Sequence, residues 1–327
     1  MKILVTGSSG HLGEALMRTL PAIGHDATGL DIKGGHYTRY TGSVADRAAV
    51  RAAMIGMDAV LHTATLHKPH VATHTKQDFI DTNVTGTLTL LEEAVAAGVK
   101  TFVFTSTTST FGAALVPPPG APAAWISEDV QPVPKNIYGA TKVAAEDLCQ
   151  LMHRDKALNC IILRTSRFFP EVDDNKSIRD AFSGTNTKAN EFLYRRVDIE
   201  DAVSAHIAAL DKADTIGFAR YIISATTPFT PTDLKQLRQD ATAVVAEHFP
   251  KMQAIFDAAG YRMFPSIERV YDNSLARAQL GWRPKHNFAS ILSQIADNQP
   301  IGSVLSREVG IKGYHDDNFA DGPYPVA

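Results

Sequence analysis

Cysteine is nearly absent from this 327-residue chain: Cys149 and Cys160 are the only two, too few for a disulfide-stapled scaffold. A basic excess is missing as well, because 32 Lys and Arg face 35 Asp and Glu for a formal net charge of -3. Binding along a phosphate backbone draws on surplus cations, so nucleic acid is not an expected partner. No apolar run approaches the roughly 18 residues of a membrane span, and membrane is not expected either. The opening MKILVTG runs straight into a β-like segment and a glycine loop, without the charged start, long apolar core and small-residue cleavage site of a secretion signal. A reducing cytoplasm is therefore the expected location. What remains, 44% hydrophobic content over this length, is enough to bury one large domain or two medium ones.

Short β-branched runs alternate with stretches of helical periodicity through the first half, the pattern of βαβ units around a parallel sheet. KILVT, ATGLD, a weaker HYTRY, AVLHT, TFVFTS and CIILR are the strand candidates. Between them, HLGEALMRTL, ADRAAVRAAMI, FIDTNVTGTLTLLEEAVAAG and NIYGATKVAAEDLCQLM carry apolar residues at helical spacing. The predicted fold is α/β, a doubly wound parallel sheet with a smaller C-terminal lobe. Residues 1–165 make the sheet domain, and VDIEDAVSAHIAAL and ARYIISA return residues 197–224 to it as a helix and a strand. Residues 166–196 and 225–298 make the lobe. Residues 299–327, rich in Gly, Pro and Asp and without periodicity, are expected to form an arm packed on the surface or on a partner subunit.

TGSSGHLG follows the first strand and opens the first helix. Gly7, Gly10 and Gly13 remove side chains where the chain turns, where a pyrophosphate comes close, and where helix meets strand. The helix start then offers free N–H groups and the positive end of its dipole. Glycines at such spacing also occur in ordinary tight turns. Here Asp31 ends the second strand at the distance where a carboxylate accepts hydrogen bonds from the adenosine ribose, and it repels a 2′-phosphate. The expected cofactor is NAD.

YGATK places Tyr138 and Lys142 four residues apart, on one face of a helix. A tyrosine with an ordinary pKa near 10 is a poor base at neutral pH, but a neighbouring ammonium stabilises the phenolate. Upstream, FVFTSTTSTFG is a strand ending in hydroxyl residues at the carboxyl edge of the sheet, where open α/β folds bind ligands. Such a cluster also hydrogen-bonds its own backbone readily.

In TGSSGHLG, HTAT, NVTGTLTLLEEA, FVFTSTTSTFG, YGATK, LRTSRFF, VDIEDAVSAH and LGWRP, taken in order, the chain resembles the extended short-chain dehydrogenases/reductases, which include sugar-nucleotide epimerases and dehydratases. The resemblance implies that Thr107 takes the place of the catalytic Ser/Thr, with Ser106 and Thr108 as alternatives, and that Asn83 orders the active-site helix. It implies a cofactor groove lined by Ser9, His11 and Leu12 of the glycine loop, Ile32 after Asp31, and Ser43 and Val44. Thr63, Ala64, Thr65 and His67 after the fourth strand, Thr105 and Ser106 of the next, and Thr165 and Ser166 complete it. A homodimer through the helices flanking FVFTSTTSTFG is implied too.

LHTATLHKPHVATH gathers His62, His67, His70 and His74. A metal needs neutral imidazoles converging near one ion, and Pro69 works against a regular helix that would align them; no metal is expected. His62 is expected inside. His67, Lys68 and His70 are expected to form a polar wall for an oxygen-rich substrate, with a solvated loop as the plain alternative for His70 and His74. Arg167 stands where relatives carry asparagine; it suits a carboxylate or phosphate, or it pairs with Glu171 or Asp173. Tyr194 stands where relatives carry a phosphate-binding arginine, and Arg262 matches a second one without the glycine-acid pair that usually follows. Thr108 and Ser109 replace the acidic pair of dehydratases, which disfavours dehydration.

Together these residues predict an NAD-dependent epimerase or dehydrogenase acting on a hydroxyl of a sugar, sugar acid or nucleotide-sugar, a small-molecule partner. The rival is a noncatalytic NAD sensor, a role in which the tyrosine or the lysine is commonly lost; this chain keeps both.

Overall fold

A computed structural model describes residues 1–317 and 319–322. Among them run β1 (Lys2–Thr6), β2 (Asp26–Asp31), β3 (Tyr40–Thr41), β4 (Ala59–His62), β5 (Thr101–Thr107), β6 (Ala124–Ile126), β7 (Asn159–Thr165), β8 (Phe218–Ile223) and β9 (Arg269–Tyr271). Seven of these build one sheet in the order β3-β2-β1-β4-β5-β7-β8, with every neighbouring pair parallel. β6 and β9 pair only with each other. The strand order reverses between β1 and β4, and such a reversal opens a crevice at the carboxyl ends of the strands.

Successive strand residues point to opposite faces, so β1 sends Ile3 and Val5 one way and Leu4 the other. Helices His11–Thr19 and Ile199–Ile216 cover the face that holds Ile3, Val5, Leu61, Val103 and Ile161. Helices Arg47–Met54, Gly86–Ala96 and Ile137–Lys156 cover Leu4, Val60, Phe102, Phe104 and Ile162. Burial on both faces explains why these strands read as unbroken apolar runs instead of alternating ones. Side-chain caps start the helices where the sequence places Asp or Asn: Asp46, Asn136 and Asp198 each accept a backbone N–H of the following turn. A separate apolar cluster with Phe192, Leu237, Val245, Phe256, Phe264 and Phe288 holds the later helices together. A small cluster of Phe111, Leu115, Ile126, Ile222 and Tyr271 ties the β6/β9 ribbon to β8 at the sheet edge.

Three expectations are corrected. HYTRY contributes only Tyr40 to a strand, because Ser8 and Ser9 hold the Thr38 hydroxyl at 2.8 and 2.9 Å and fasten that loop to the glycine turn. The helix expected from Phe79 starts at Lys76 and passes through a π-helical stretch, Ile80–Thr85, before returning to α form; such stretches gather at functional sites. The arm, read as lacking periodicity, holds helix Val304–Val309, capped by Ser303 and packed through Leu305 and Val309 against the His11–Thr19 side of the core. Residues 318 and 323–327 of the arm lie outside the described residues. No helix among the described residues is long and apolar enough to cross a membrane.

Candidate active site

A cleft of about 710 Å³ runs from the glycine loop, across the carboxyl ends of β1, β4, β5 and β7, to the segment after β7. Every residue expected on the cofactor side lines it except Lys142, and so do Thr107, Thr108, Lys68, His70 and Arg167. Lys142, Asn83, Tyr194 and Arg262 do not.

At one end, the glycines leave no space for side chains. A Cβ on Gly13 would stand 1.9 Å from the Gly7 carbonyl oxygen, and Gly7 itself has φ +72 with Ala64 N only 2.8 Å from its missing Cβ. Gly10 caps helix His11–Thr19 without any side-chain hydrogen bond, so the helix start keeps N–H groups for an anion. Asp31 accepts from Ser9 N at 2.9 Å and Lys33 N at 2.8 Å, which fixes its carboxylate beside the loop. Across the cleft the Ser166 hydroxyl is buried with no partner, a donor left for a ligand. These features fit a dinucleotide.

Further along, Thr107 ends β5 and its hydroxyl accepts from Ser109 N at 3.1 Å. Of the alternatives, Ser106 is occupied, its Oγ donating to the buried Glu146 at 2.6 Å, while Thr108 lines the cleft beside Thr107, whose hydroxyl is close enough to the Tyr138 phenol to favour its ionised form. Burial pushes the phenol up to about 12 while the Thr107 hydrogen bond pulls it down. Lys142 lies one turn behind. Its ammonium donates to Thr105 O at 2.6 Å and sits 4.0 Å from the Phe104 ring centroid, and burial drives it down to about 7 against the attraction of Glu146. At neutrality the lysine is thus near half-protonation.

Asn83, inside the π-helical stretch, is the joint of the site. Its Oδ1 accepts from Thr65 Oγ1 and Leu66 N, both at 2.8 Å, and its Nδ2 donates to Leu66 O and Thr141 Oγ1, both at 3.1 Å. One buried amide so ties the post-β4 loop to the helix of Tyr138. Asn83→Ala leaves several buried groups unpartnered and is expected to lower unfolding free energy by about 2–3 kcal/mol, measured by urea unfolding; an unchanged midpoint would contradict this joint.

The imidazoles serve separate ends. His62 is buried between Thr6 Oγ1 at 2.7 Å and Thr87 Oγ1 at 3.0 Å, and burial holds it well below the ordinary imidazole range. Thr6 Oγ1 also accepts Ala64 N, so His62 props the loop under the cofactor groove. His67 faces the site with its ring 6.0 Å from that of Tyr138 and 5.2 Å from that of Phe169. His70 accepts His67 N at 2.8 Å and bonds Tyr314 O at 3.0 Å, with burial taking it down to about 4. Among the described residues no group of three His, Cys, Asp or Glu could hold a metal ion.

At the far end the expected contacts are partly spoken for. Lys68 pairs with Asp174 at 2.8 Å, and Arg167 pairs with Asp173 at 3.3 Å, Asp174 at 3.4 Å and Val172 O at 2.9 Å, the plain ion-pair alternative in place of a free cation. Tyr194 is buried, with Arg195 over its ring at 5.6 Å. Arg262 points outward onto Phe182 and Ala181 O, because Asn186 and Asn190 grip its backbone. Sequence reasoning missed the residues that distant segments bring in: Phe169 and Glu171 after β7, Arg195, Arg269 and Tyr271, and Lys312 to Tyr314 of the arm. His11 Nε2 meets Glu171 Oε1 at 2.7 Å, and Glu171 also accepts Lys312 N at 3.2 Å and Gly313 N at 3.3 Å. The arm thus closes over the cleft, and its lack of periodicity gave no local signal of this.

The family model for the NAD dependent epimerase/dehydratase family matches residues 3–223. An uncharacterized protein, y4nG, of Sinorhizobium fredii is 32% identical over 88% of this chain and 76% of its own length. A UDP-glucose 4-epimerase of Rhizobium meliloti is 28% identical over 88% of this chain and 94% of its own. Among solved structures, a short-chain dehydrogenase/reductase superfamily protein from Agrobacterium tumefaciens with bound NAD matches at a TM-score of 0.65 and 23% identity, covering 91% of this chain and 96% of that one. A UDP-galactose 4-epimerase matches at 0.63 and 22%, covering 91% and 98%. At that identity the structures speak for the fold alone.

Proposed function

We propose, since this chain belongs to the NAD-dependent epimerase/dehydratase family, that it is an epimerase acting on a ring hydroxyl of a sugar-like substrate, with Tyr138 as the proton-transferring group. The observation that carries this is the Thr107–Tyr138 hydroxyl pair, backed by Lys142, in the same cleft as the glycine cradle. NAD, when bound, supplies a hydride acceptor and a positively charged ring beside that pair.

The chain's own residues do the rest. Gly7, Gly10 and Gly13 with the start of helix His11–Thr19 would hold the pyrophosphate, Asp31 the adenosine ribose, and Ser166 a polar group further along. Thr107 orients the substrate hydroxyl toward the Tyr138 oxygen, which accepts its proton and can later return it. Lys142, while it holds its proton, would stabilise the phenolate, and donor and acceptor are gathered in one place. Epimerisation over dehydrogenation is supported by relatives named as UDP-glucose 4-epimerases. It is also supported by the arm, whose links to His11, Glu171 and His70 would retain a ketone in the cleft.

The test is to incubate the protein with NAD and a panel of hexoses, hexuronates and UDP-sugars, following sugar isomers by chromatography and NADH by absorbance. An isomer formed without net NADH is expected. Stoichiometric NADH would make the enzyme a dehydrogenase, and neither product with any sugar would remove the proposal.

A further inference from the structure

We propose that Arg195 and Arg269 form a subsite for an anionic group of the substrate, a carboxylate or phosphate attached to the sugar. This deepens the reading of the cleft as a sugar site and rests on it.

Two short elements bring these arginines together. β9 carries Arg269, and its Tyr271 N donates to Tyr194 O at 3.2 Å, fastening the strand to the segment that carries Arg195. Arg195 lies 5.6 Å from the Tyr194 ring centroid, the charges of Arg195 and Arg269 both oppose the rise that burial gives the Tyr194 phenol, and both arginines line the cleft together with Tyr271, Thr108 and Ser109. The two positions differ from 194 and 262, where the family resemblance placed phosphate-binding arginines. Those two side chains are turned away from the cleft.

The local charge is not balanced. Lys68, Arg167, Arg195 and Arg196 pair with Asp173, Asp174 and Glu191, four positive groups against three negative, and among the described residues Arg269 pairs only with Glu268. Glu171 is taken by His11. Arg167 is held by two acids and a carbonyl, and Arg196, which pairs with Glu191 and donates to Phe169 O, does not line the cleft. Arg195 spends one nitrogen on Glu191 at 2.7 Å and Asp173 at 3.1 Å, yet its Nε is buried with no acceptor. Arg269 is more poorly served: its side chain is 15% exposed, its one ion pair is to Glu268 at 3.9 Å, and its Nε is likewise buried without a partner. Glu268 itself is 46% exposed and shared with Arg238.

A buried guanidinium nitrogen without an acceptor is costly to the fold. It is retained where a ligand supplies the oxygen, and the flat fork of an arginine matches a carboxylate or phosphate edge better than a neutral hydroxyl. Arg269 faces the cleft without a buried acid to hold it, so the acceptor has to come from what the cleft binds. The hydroxyls of Thr108, Ser109 and Tyr271 are at hand for the neutral oxygens of the same molecule.

The test titrates the NAD-loaded Tyr138→Phe protein, in which turnover is blocked, with glucose, glucuronate, glucose 1-phosphate and UDP-glucose in a calorimeter. At least one acid is expected to bind roughly thirtyfold or more tightly than glucose, and Arg269→Leu or Arg195→Leu to remove that advantage while leaving glucose affinity unchanged. The acid that wins separates a sugar carboxylate from a monophosphate or a diphosphate. Arg269→Gln and Arg269→Lys guard against a folding defect: the glutamine variant should melt no lower than the parent, and the lysine variant should keep part of the preference. Equal affinity for acids and glucose, or an acid preference untouched by both arginine substitutions, overturns the subsite. Isomerisation of neutral sugars would survive that result, whereas normal acid binding with no sugar ever isomerised would retain the subsite and remove the proposed chemistry.

Discussion

Tyr138→Phe is expected to lower kcat by about a thousandfold, the middle of the range for a positioned general acid–base group, while KM and NAD affinity change little. Phenylalanine keeps the ring that fills the space beside His67 and loses only the oxygen. Burial holds the phenol near 12 against the opposing pull of the Thr107 hydroxyl, so proton transfer at neutral pH depends on positive charge brought near it. Lys142 is the cation the chain itself provides. Steady-state kinetics on the purified variant, with NAD binding followed by fluorescence, checks the split; a kcat within a fewfold of the parent would assign proton transfer elsewhere.

Lys142→Met is expected to abolish most activity and yet raise stability at neutral pH by about 1–2 kcal/mol, the net of removing a buried charge and leaving Thr105 O one donor short. The lysine falls from 10.5 to about 7 because burial disfavours its charged form. Below about pH 7 both folded and unfolded chains carry the proton, and the folded state bears the whole cost. Between 7 and 10.5 the unfolded chain binds a proton that the folded chain has released, so the parent gains stability as pH rises through this window. The advantage of the methionine variant should therefore be largest at or below pH 7 and shrink toward pH 10. Urea unfolding of both proteins at several pH values checks the sign; a variant less stable than the parent at pH 7 would show the lysine to be structural.

What could be seen in the sequence was whatever is encoded within a few neighbouring residues. The glycine turn, Asp31 at the end of β2 and the Tyr138/Lys142 pair on one helical turn depend on local spacing, and the apolar runs of the sheet announce themselves by burial on both faces. Asn83 was reachable through the family pattern, and its bond to Thr141 is where it meets the helix of Tyr138. The far end of the cleft was not reachable in this way. Arg269 enters it on a three-residue strand that pairs with Ala124–Ile126, and Tyr314 meets His70 across 244 positions of sequence. No periodicity encodes such contacts. Arg167 shows the converse: its position allows either an anion-binding cation or an ion pair, and Asp173 and Asp174, six and seven residues on, hold it as the pair. Tyr194 and Arg262 were placed by counting along a family pattern, whereas Asn186 and Asn190 turn the backbone of Arg262 so that its side chain leaves the cleft.

Hydrogen isotope transfer decides between chemistry at this site and mere cofactor storage. The parent and Tyr138→Phe proteins, each loaded with NAD, are mixed with a sugar from the active panel that carries deuterium on the carbon of the reacting hydroxyl, and the label in the product isomer is measured by mass spectrometry. A hydride taken up by NAD and returned to the same carbon would leave the deuterium on the sugar. Isomer that keeps its deuterium, formed more slowly than from unlabelled sugar with the parent and only at background rate with Tyr138→Phe, is the expected result. Isomer that has exchanged its label for solvent hydrogen, or equal rates in both proteins, would contradict hydride chemistry driven by this tyrosine.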